Sequence, residues 1–116
     1  MLDILRERRS IRKYKDREIE TEKIELIKEA ALRSPSSRGI NPWRFLFVTD
    51  KSKLEELSRA KENGSSFLKG ASLGVVICAA KGESDVWGED CSIASIILQL
   101  AGQSLGLGSC WIQISS

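Results

Sequence analysis

The sequence predicts an α+β fold within one domain, residues 1–116. Two segments, 22–33 and 91–105, repeat apolar residues at the three- and four-residue spacing of a helix with one buried face. Two others, 43–49 and 72–80, are short runs rich in β-branched, aromatic or other apolar residues, which is typical of strands. Apolar residues make up 41% of the 116, enough for one modest core.

The N-terminal third is predicted to contain two helices joined by an irregular or extended connection over 10–19. The first helix spans 2–9. The second spans 22–33 with Thr21 as its N-cap, and it ends at Ser34-Pro35 because a residue before proline avoids helical backbone angles. Its apolar stripe consists of Ile24, Ile27 and Ala31, with Ala30 beside them.

The middle of the chain is predicted to hold two strands with a short helix between them. Strand 43–49 comes first, and Ser52 and Glu55 then form a capping box for a helix over 53–61. Residues 72–80 form a nearly continuous apolar run, as expected for a central strand covered on both faces. The short helix is expected to bury Leu54 and Leu57.

The last predicted elements are the helix over 91–105 and a strand over 109–114. Asp90 is interpreted as the N-cap of this helix and Gly106 as its C-terminal stop. The helix carries no charged side chain after Asp90, so we expect it to be buried on most sides.

Charge is concentrated near the N-terminus. The net charge is +2, but residues 6–17 alone carry seven basic and two acidic side chains, which leaves the rest of the chain at −3. A nucleic-acid surface requires positive charge spread along a face, together with aromatic stacking residues, and aromatic residues are only 6% of this chain. The distribution therefore argues against nucleic-acid binding.

Other classes are excluded by what the sequence lacks. No apolar run is long enough to cross a membrane and no signal peptide begins the chain, so we expect a cytoplasmic protein. Histidine is absent, which rules out Ser-His and Cys-His nucleophilic systems and makes the usual zinc sites improbable. We therefore expect no metal and no catalytic side chain, with the chemistry supplied by a cofactor. The three cysteines, Cys78, Cys91 and Cys110, are interpreted as buried thiols.

Two segments have the composition of ligand-binding sites. Arg8-Arg9-Ser10-x-Arg12 combines guanidinium groups, which bind phosphate bidentately, with a hydroxyl donor. The segment "SPSSRGINP" (34–42) combines small polar residues and prolines in a loop that a ligand could approach. Taken singly, each has a plainer interpretation: the first as a solvated basic turn, the second as an ordinary connection between a helix and a strand.

Taken together, these segments resemble the nitroreductase family of flavin enzymes. The motifs that carry the resemblance, in chain order, are "RRSIRKY", "SPSSRGINPWRF", the apolar strand, "WGEDCSIA" and "GLGSCWI". The resemblance spans the chain and implies an α+β fold with a central, mainly antiparallel sheet flanked by helices. It also implies a homodimer that binds FMN non-covalently at the subunit interface.

The resemblance implies a role for each candidate residue. Arg8, Arg9 and Ser10 match the turn that meets the flavin phosphate and ribityl chain. Arg12 matches a basic position near the pyrimidine edge of the flavin ring, where a cation stabilises the negative charge of the reduced flavin.

The remaining candidates come from the loop and the last strand. Pro35, Ser36 and Ser37 resemble the loop that lies along the flavin of the partner subunit, and Asn41 matches an amide position beside it. Gln113 and Ile114 match the segment that passes the reactive edge of the flavin, although relatives often have Glu-Gly or Gly-Gly there. Gly39 stands where many relatives have Asn.

The activity implied is reduction of nitroaromatic or quinone-like acceptors by NAD(P)H in a ping-pong reaction. Hydride passes from NAD(P)H to the flavin, and then from the flavin to the second substrate. Similar proteins continue beyond the segment that ends here at Ser116. The alternative is therefore a truncated or degenerate flavin-binding module without turnover.

Overall fold

A computed structural model of the chain describes residues 1–80 and 82–114. Six helices and strands follow one another: α1 (Leu2–Glu7), α2 (Thr21–Leu32), β1 (Trp43–Val48), α3 (Lys51–Ser58), β2 (Gly74–Ala79) and α4 (Trp87–Ser104). Short 3-10 turns occupy Ser37–Gly39 and Ser66–Gly70. The predicted order of helices and strands is confirmed as far as β2 and α4, and the α+β class with it.

The sheet is an antiparallel pair, with Trp43 opposite Ala79 and Val48 opposite Gly74. We expected 72–80 to be a central strand covered on both faces. Within the described part of the chain, however, β2 pairs only with β1. Cys78 of β2 is exposed, so the interpretation of this thiol as buried is wrong.

The core forms where α2 and α4 pack on one face of the sheet. Ile27 and Ala31 of α2 meet Leu98 of α4, and all three are buried. The predicted stripe of α2 is therefore confirmed at Ile27 and Ala31, whereas Ile24 is only half-buried. Partly buried side chains complete the core: Phe45, Phe47, Leu73, Val75, Ile77, Leu105 and Leu107.

Helix α3 is anchored by Leu54, which is fully buried, whereas Leu57 is only half-buried. A Cβ atom added at Gly74 would lie 2.9 Å from a methyl carbon of Leu54, so only glycine allows α3 to approach β2 this closely.

The capping predictions for α2 and α3 are wrong in detail. Helix α2 begins at Thr21, and its N-cap is Glu20, which makes no side-chain capping bond. Helix α3 begins at Lys51 because Asp50 accepts a hydrogen bond from the Lys53 N–H at 3.1 Å. The hydroxyl of Ser52 donates to the same carboxylate at 2.6 Å. A carboxylate is the stronger acceptor, so it displaces serine from the capping role.

Helix α4 begins at Trp87, four positions earlier than expected, and ends as predicted. Its N-cap is Val86, so Asp90 lies inside the first turn and does not cap it. At the other end, Gly106 has a φ of 80°, and the N–H groups of Gly106 and Leu107 donate to the carbonyls of Gln103 and Gly102. This pair of bonds is a Schellman motif, which requires a left-handed residue at the position of the glycine.

The predicted strand over 109–114 is not formed within the described residues. Only Ser109 makes a bridge, parallel to Ser10, and no ladder continues from it. A strand needs a neighbour along its whole length to satisfy its backbone groups, and β-forming composition cannot supply one. Residues 110–114 instead follow the surface as an irregular segment.

Candidate functional site

The basic turn starts where α1 ends. Arg8 is the C-cap of α1, with extended backbone angles, and its N–H donates to the carbonyl of Ile4 at 2.9 Å. Arg8 is half-buried, whereas Arg9, Ser10 and Arg12 are exposed. The change from helix to extended chain at Arg8 therefore presents successive side chains in different directions over a short stretch.

The arginines of this turn differ in their partners from Arg6 and Arg17, the arginines that flank them, and resemble Lys13 and Lys15 in making no ion pair among the described residues. Arg6 pairs with Asp3 at 3.5 Å, and Arg17 pairs with Glu20 at 3.3 Å. Among the described residues, no carboxylate lies within ion-pair distance of the three arginines that the sequence assigns to the cofactor. These three are Arg8, Arg9 and Arg12. Their positive charge is therefore available to an anionic ligand.

The turn is held against the segment that follows α4. The N–H of Ile11 donates to the carbonyl of Ser109 at 2.8 Å, beside the bridge between Ser10 and Ser109. A Cβ atom at Gly108 would lie only 3.0 to 3.2 Å from three atoms of the Ile11 side chain. Glycine at position 108 therefore lets two segments about a hundred residues apart come into contact.

Tyr14 stabilises the turn through a hydrogen bond and an aromatic contact. Its hydroxyl donates to the carbonyl of Ile11 at 2.5 Å, and its ring lies 6.3 Å from that of Phe67. Burial, and then the charge of Cys110, raise the pKa of Tyr14 to about 12, while the Arg12 guanidinium opposes this shift. The phenol therefore remains a hydrogen-bond donor at neutral pH.

Loop 34–42 is closed by two hydrogen bonds between Ser36 and Asn41. The Ser36 hydroxyl donates to Oδ1 of Asn41 at 2.8 Å and accepts from the Asn41 backbone N–H at 2.8 Å. Arg38 and Asn41 both have positive φ, 56° and 53°, which residues other than glycine rarely adopt. The Ser36 hydroxyl is thus engaged within the loop, which leaves the amide nitrogen of Asn41 available to a ligand.

Two further residues fix this loop to the rest of the fold. The N–H of Ser37 donates to a carboxylate oxygen of Asp90 at 3.0 Å. At the other end of the loop, the Arg44 guanidinium donates to the carbonyls of Pro42 and Trp43 and forms an ion pair with Glu83 at 2.9 Å. Asp90 and Arg44 were not among the residues assigned to the site from sequence, and the "WGEDC" motif was the only indication of Asp90.

A cleft of about 800 Å³ opens beside these elements. Gln113 and Ile114 line it, but the arginine-serine turn and loop 34–42 do not. One copy of the chain therefore does not gather all the predicted residues around one cavity. The aromatic and cysteine side chains that line the cleft are Tyr14, Phe67, Trp87, Trp111, Cys78, Cys91 and Cys110.

Cys91 and Cys110 are half-buried, and Cys78 is exposed. Burial raises the pKa of Cys91, and the charges of Cys78 and Asp90 add to the shift. No group of three or more metal-ligating side chains occurs in residues 1–80 and 82–114.

In the same residues, no helix has the length and apolar character needed to cross a membrane.

The chain has a small antiparallel sheet flanked by helices, and an arginine-serine turn is held beside its last segment. This combination of fold and basic turn defines the class of protein to which the chain belongs. The chain belongs to the nitroreductase family, whose sequence profile matches residues 5–88. The resemblance drawn from the sequence motifs is therefore confirmed.

Known relatives agree with this assignment. An FMN-dependent nitroreductase of Clostridium difficile R20291 has 54% sequence identity and a TM-score of 0.95 over 97% of this chain. A provisionally named nitroreductase of Desulfovibrio desulfuricans, solved in complex with FMN, has 28% identity and a TM-score of 0.86 over 97% of the chain. A protein of Archaeoglobus fulgidus, provisionally named NADH dehydrogenase/NAD(P)H nitroreductase, is 40% identical over 97% of the chain.

All three relatives are longer than this chain. The chain spans 66% of the Clostridium protein, and 67% of both the Desulfovibrio and the Archaeoglobus proteins.

Proposed function

We propose that residues 1–116 form the FMN-binding domain of an NAD(P)H-dependent oxidoreductase that works in the cytoplasm. The observation that carries the proposal is the arginine-serine turn, whose cations have no carboxylate partner among the described residues and whose backbone is held to the segment after α4. Family membership and the FMN-dependent relative support the choice of cofactor. Of residues 1–116, Lys81, Ser115 and Ser116 lie outside the described residues.

The donors of the turn fit a phosphate monoester. Arg8 and Arg9 supply planar guanidinium groups suited to bidentate bonding, and the exposed Ser10 hydroxyl supplies a further donor. We assign these three residues to the flavin phosphate and the ribityl chain. Because the Ser10 backbone is bridged to Ser109, the turn does not have to be ordered when the ligand arrives, which lowers the entropic cost of binding.

Arg12, Gln113 and Ile114 are assigned to the flavin ring. Arg12 would place a cation at the pyrimidine edge, where reduction leaves negative charge. Gln113 and Ile114 line the cleft, whereas Arg12 does not. The segment that carries them has no strand ladder, so its backbone N–H groups are available to a ligand.

Pro35, Ser36, Ser37 and Asn41 are assigned to the flavin bound by a second copy of the chain, in a homodimer. Their loop lies outside the cleft that Gln113 and Ile114 line, as the arginine-serine turn also does, and in similar proteins such a loop lies along the flavin of the partner subunit. Within this loop we assign the Asn41 amide nitrogen and the Ser37 hydroxyl as donors to the ligand. The Ser36 hydroxyl instead maintains the shape of the loop.

When bound, FMN would supply the redox chemistry: it accepts hydride from NAD(P)H and donates it to a nitroaromatic or quinone-like acceptor, in ping-pong order. The chain binds and orients the reactants, and its arginines stabilise negative charge. It needs no histidine for these tasks, and the sequence has none.

An anaerobic titration tests the proposal. The purified protein is mixed with FMN, separated from unbound flavin, and then treated with NADH or NADPH while the visible flavin absorption is recorded. We expect retained flavin that loses its colour on addition of reduced nicotinamide. A protein that retains no FMN would refute the proposal.

A second candidate function is flavin binding without turnover. It is favoured by the absence of a single cavity that gathers all the predicted residues within one described copy of the chain. The same titration separates the two functions, because this one predicts retained flavin whose colour neither NADH nor NADPH removes.

A further inference from the structure

Among the described residues, Asp90 is the one acidic side chain that is buried, and only 2% of its surface is exposed. It lies in the first turn of α4, where the helix dipole favours a negative charge. Its Oδ1 atom accepts a hydrogen bond from the Ser37 N–H at 3.0 Å, across 53 positions of sequence. This bond joins a core helix directly to the loop assigned to the flavin.

The other carboxylate oxygen is less well satisfied. Oδ2 of Asp90 is buried and has no hydrogen-bond partner among the described residues. Burying a carboxylate oxygen without a partner is unfavourable. The bond that Oδ1 accepts from the Ser37 N–H is the side-chain hydrogen bond of Asp90 in the described structure, and it offsets part of this cost.

The two ends of this bond differ in burial and backbone conformation. Around Asp90, α4 is held by Ala94 and Leu98, both buried in the core. The loop, in contrast, is mostly exposed and includes non-glycine residues with positive φ at Arg38 and Asn41. A backbone of this kind persists only where surrounding structure imposes it.

We propose that Asp90 is a positioning residue of the flavin site: it holds loop 34–42 in its binding conformation through the Ser37 N–H. This inference rests on the proposed function. It has a consequence for recognition, since the Ser37 N–H is committed to Asp90 and cannot bind the ligand. The loop would then recognise its ligand through other donors, to which we assign the Ser37 hydroxyl and the Asn41 amide.

Two substitutions at Asp90 distinguish the effect of losing the hydrogen-bond acceptor from the effect of losing the negative charge. Asp90→Asn keeps an oxygen that can accept from Ser37 and removes the charge, whereas Asp90→Ala removes both. Glu89→Ala is the matched control, because Glu89 is an exposed carboxylate in the same turn of α4. If Asp90→Ala does not fold, Asp90→Ser replaces it with a shorter polar side chain.

Two measurements are made on each protein: FMN affinity, and hydrogen exchange of the Ser37 amide without flavin. We expect Asp90→Ala to raise the Kd for FMN about tenfold and to lose protection at Ser37, because the Ser37 N–H then has no side-chain acceptor at position 90. Asp90→Asn should retain both properties, and Glu89→Ala should behave like the wild type.

The outcomes distinguish this inference from the function on which it rests. Wild-type affinity in Asp90→Ala, or an Asp90→Asn variant as weak as Asp90→Ala, would overturn the positioning role while FMN binding stood. A wild-type protein that fails to bind FMN would overturn the function and the inference together. The exchange data would then still show whether Asp90 orders the loop.

Discussion

The backbone N–H of Ile11 donates to the carbonyl oxygen of Ser109 at 2.8 Å, and this bond places the arginine-serine turn beside the segment that follows α4. The contact depends on Gly108, because an added Cβ atom would lie 3.0 Å from the Ile11 side chain. Residues from the two ends of the described chain therefore form one wall of the proposed flavin site.

Replacing Gly108 by alanine should separate these two segments. The new methyl group must displace Ile11, which we expect to reduce stability by about 1 to 3 kcal/mol and to weaken FMN binding. Urea unfolding and FMN titration measure the two effects. Gly70→Ala is the control, since a Cβ atom at Gly70 has no neighbour within 4 Å. Equal behaviour of the two variants would show that the contact is unimportant.

Replacing Arg12 by alanine should lower FMN affinity far more than replacing Lys15. Both residues are exposed cations of the same segment; Lys15 lines the cleft, but only Arg12 belongs to the turn assigned to the cofactor. Loss of a charge-assisted hydrogen bond should raise the Kd about tenfold. Fluorescence titration with FMN gives the comparison, and equal effects of the two substitutions would refute this division of the basic segment.

Replacing Ser36 by alanine should loosen the loop without removing a ligand contact. The substitution deletes both hydrogen bonds to Asn41 and should cost about 1 to 2 kcal/mol of stability in the protein without flavin. Ser37→Ala, which leaves the backbone bond to Asp90 intact, should instead affect FMN affinity and leave stability unchanged. Thermal unfolding without FMN distinguishes the two variants, and the reverse pattern would contradict these assignments.

Replacing Leu98 by alanine tests the position of the hydrophobic core. Truncation to alanine leaves a cavity between α2, α4 and the sheet and should reduce the free energy of unfolding by about 2 to 5 kcal/mol. Leu46→Ala is the control, because Leu46 lies on β1 with 59% of its surface exposed. Denaturant unfolding gives both values, and a loss at Leu98 no greater than that at Leu46 would place the core elsewhere.

The raised pKa of Tyr14 predicts that the stability of the protein depends on pH in the alkaline range. Its pKa is raised to about 12 from 10.0, so its contribution to stability is complete below pH 10. Between pH 10 and 12 the unfolded chain loses the phenol proton while the folded chain keeps it, so stability should fall across this window. Tyr14→Phe should remove this part of the fall.

The sequence contains one tyrosine, so the absorbance of tyrosinate follows Tyr14 alone. We expect the folded protein to titrate well above the value found in denaturant. Coincident titrations in the folded and unfolded protein would mean that the phenol is not buried against Ile11 and Phe67.

Local periodicity and turn chemistry predicted the parts of the fold that depend on nearby residues. The apolar stripe of α2 and the stop of α4 at Gly106 needed only side chains a few positions apart. The start of α3 was missed because Asp50 and Ser52 compete for the same capping role, and the carboxylate is the stronger acceptor.

The larger errors in the sequence-based predictions concern residues whose contacts are distant in sequence. Asp90 was interpreted as a helix cap because an aspartate before an apolar run favours one, yet its carboxylate accepts from Ser37, far away in sequence. Residues 109–114 have the composition of a strand, but a strand also needs a neighbour to pair with, and only Ser109 finds one in the described structure. The candidate loop and turn were identified by composition and resemblance, whereas their anchors, Gly108 and Arg44, became visible only in the fold.

The central claim is that the arginine-serine turn holds the flavin phosphate. Its most direct test compares the affinities of FMN and riboflavin, which differ by that phosphate, for the wild-type protein and for Arg9→Ala. We expect the wild type to prefer FMN by about tenfold or more, and the preference to shrink in the variant. Equal affinities of the wild type for FMN and riboflavin would contradict the claim.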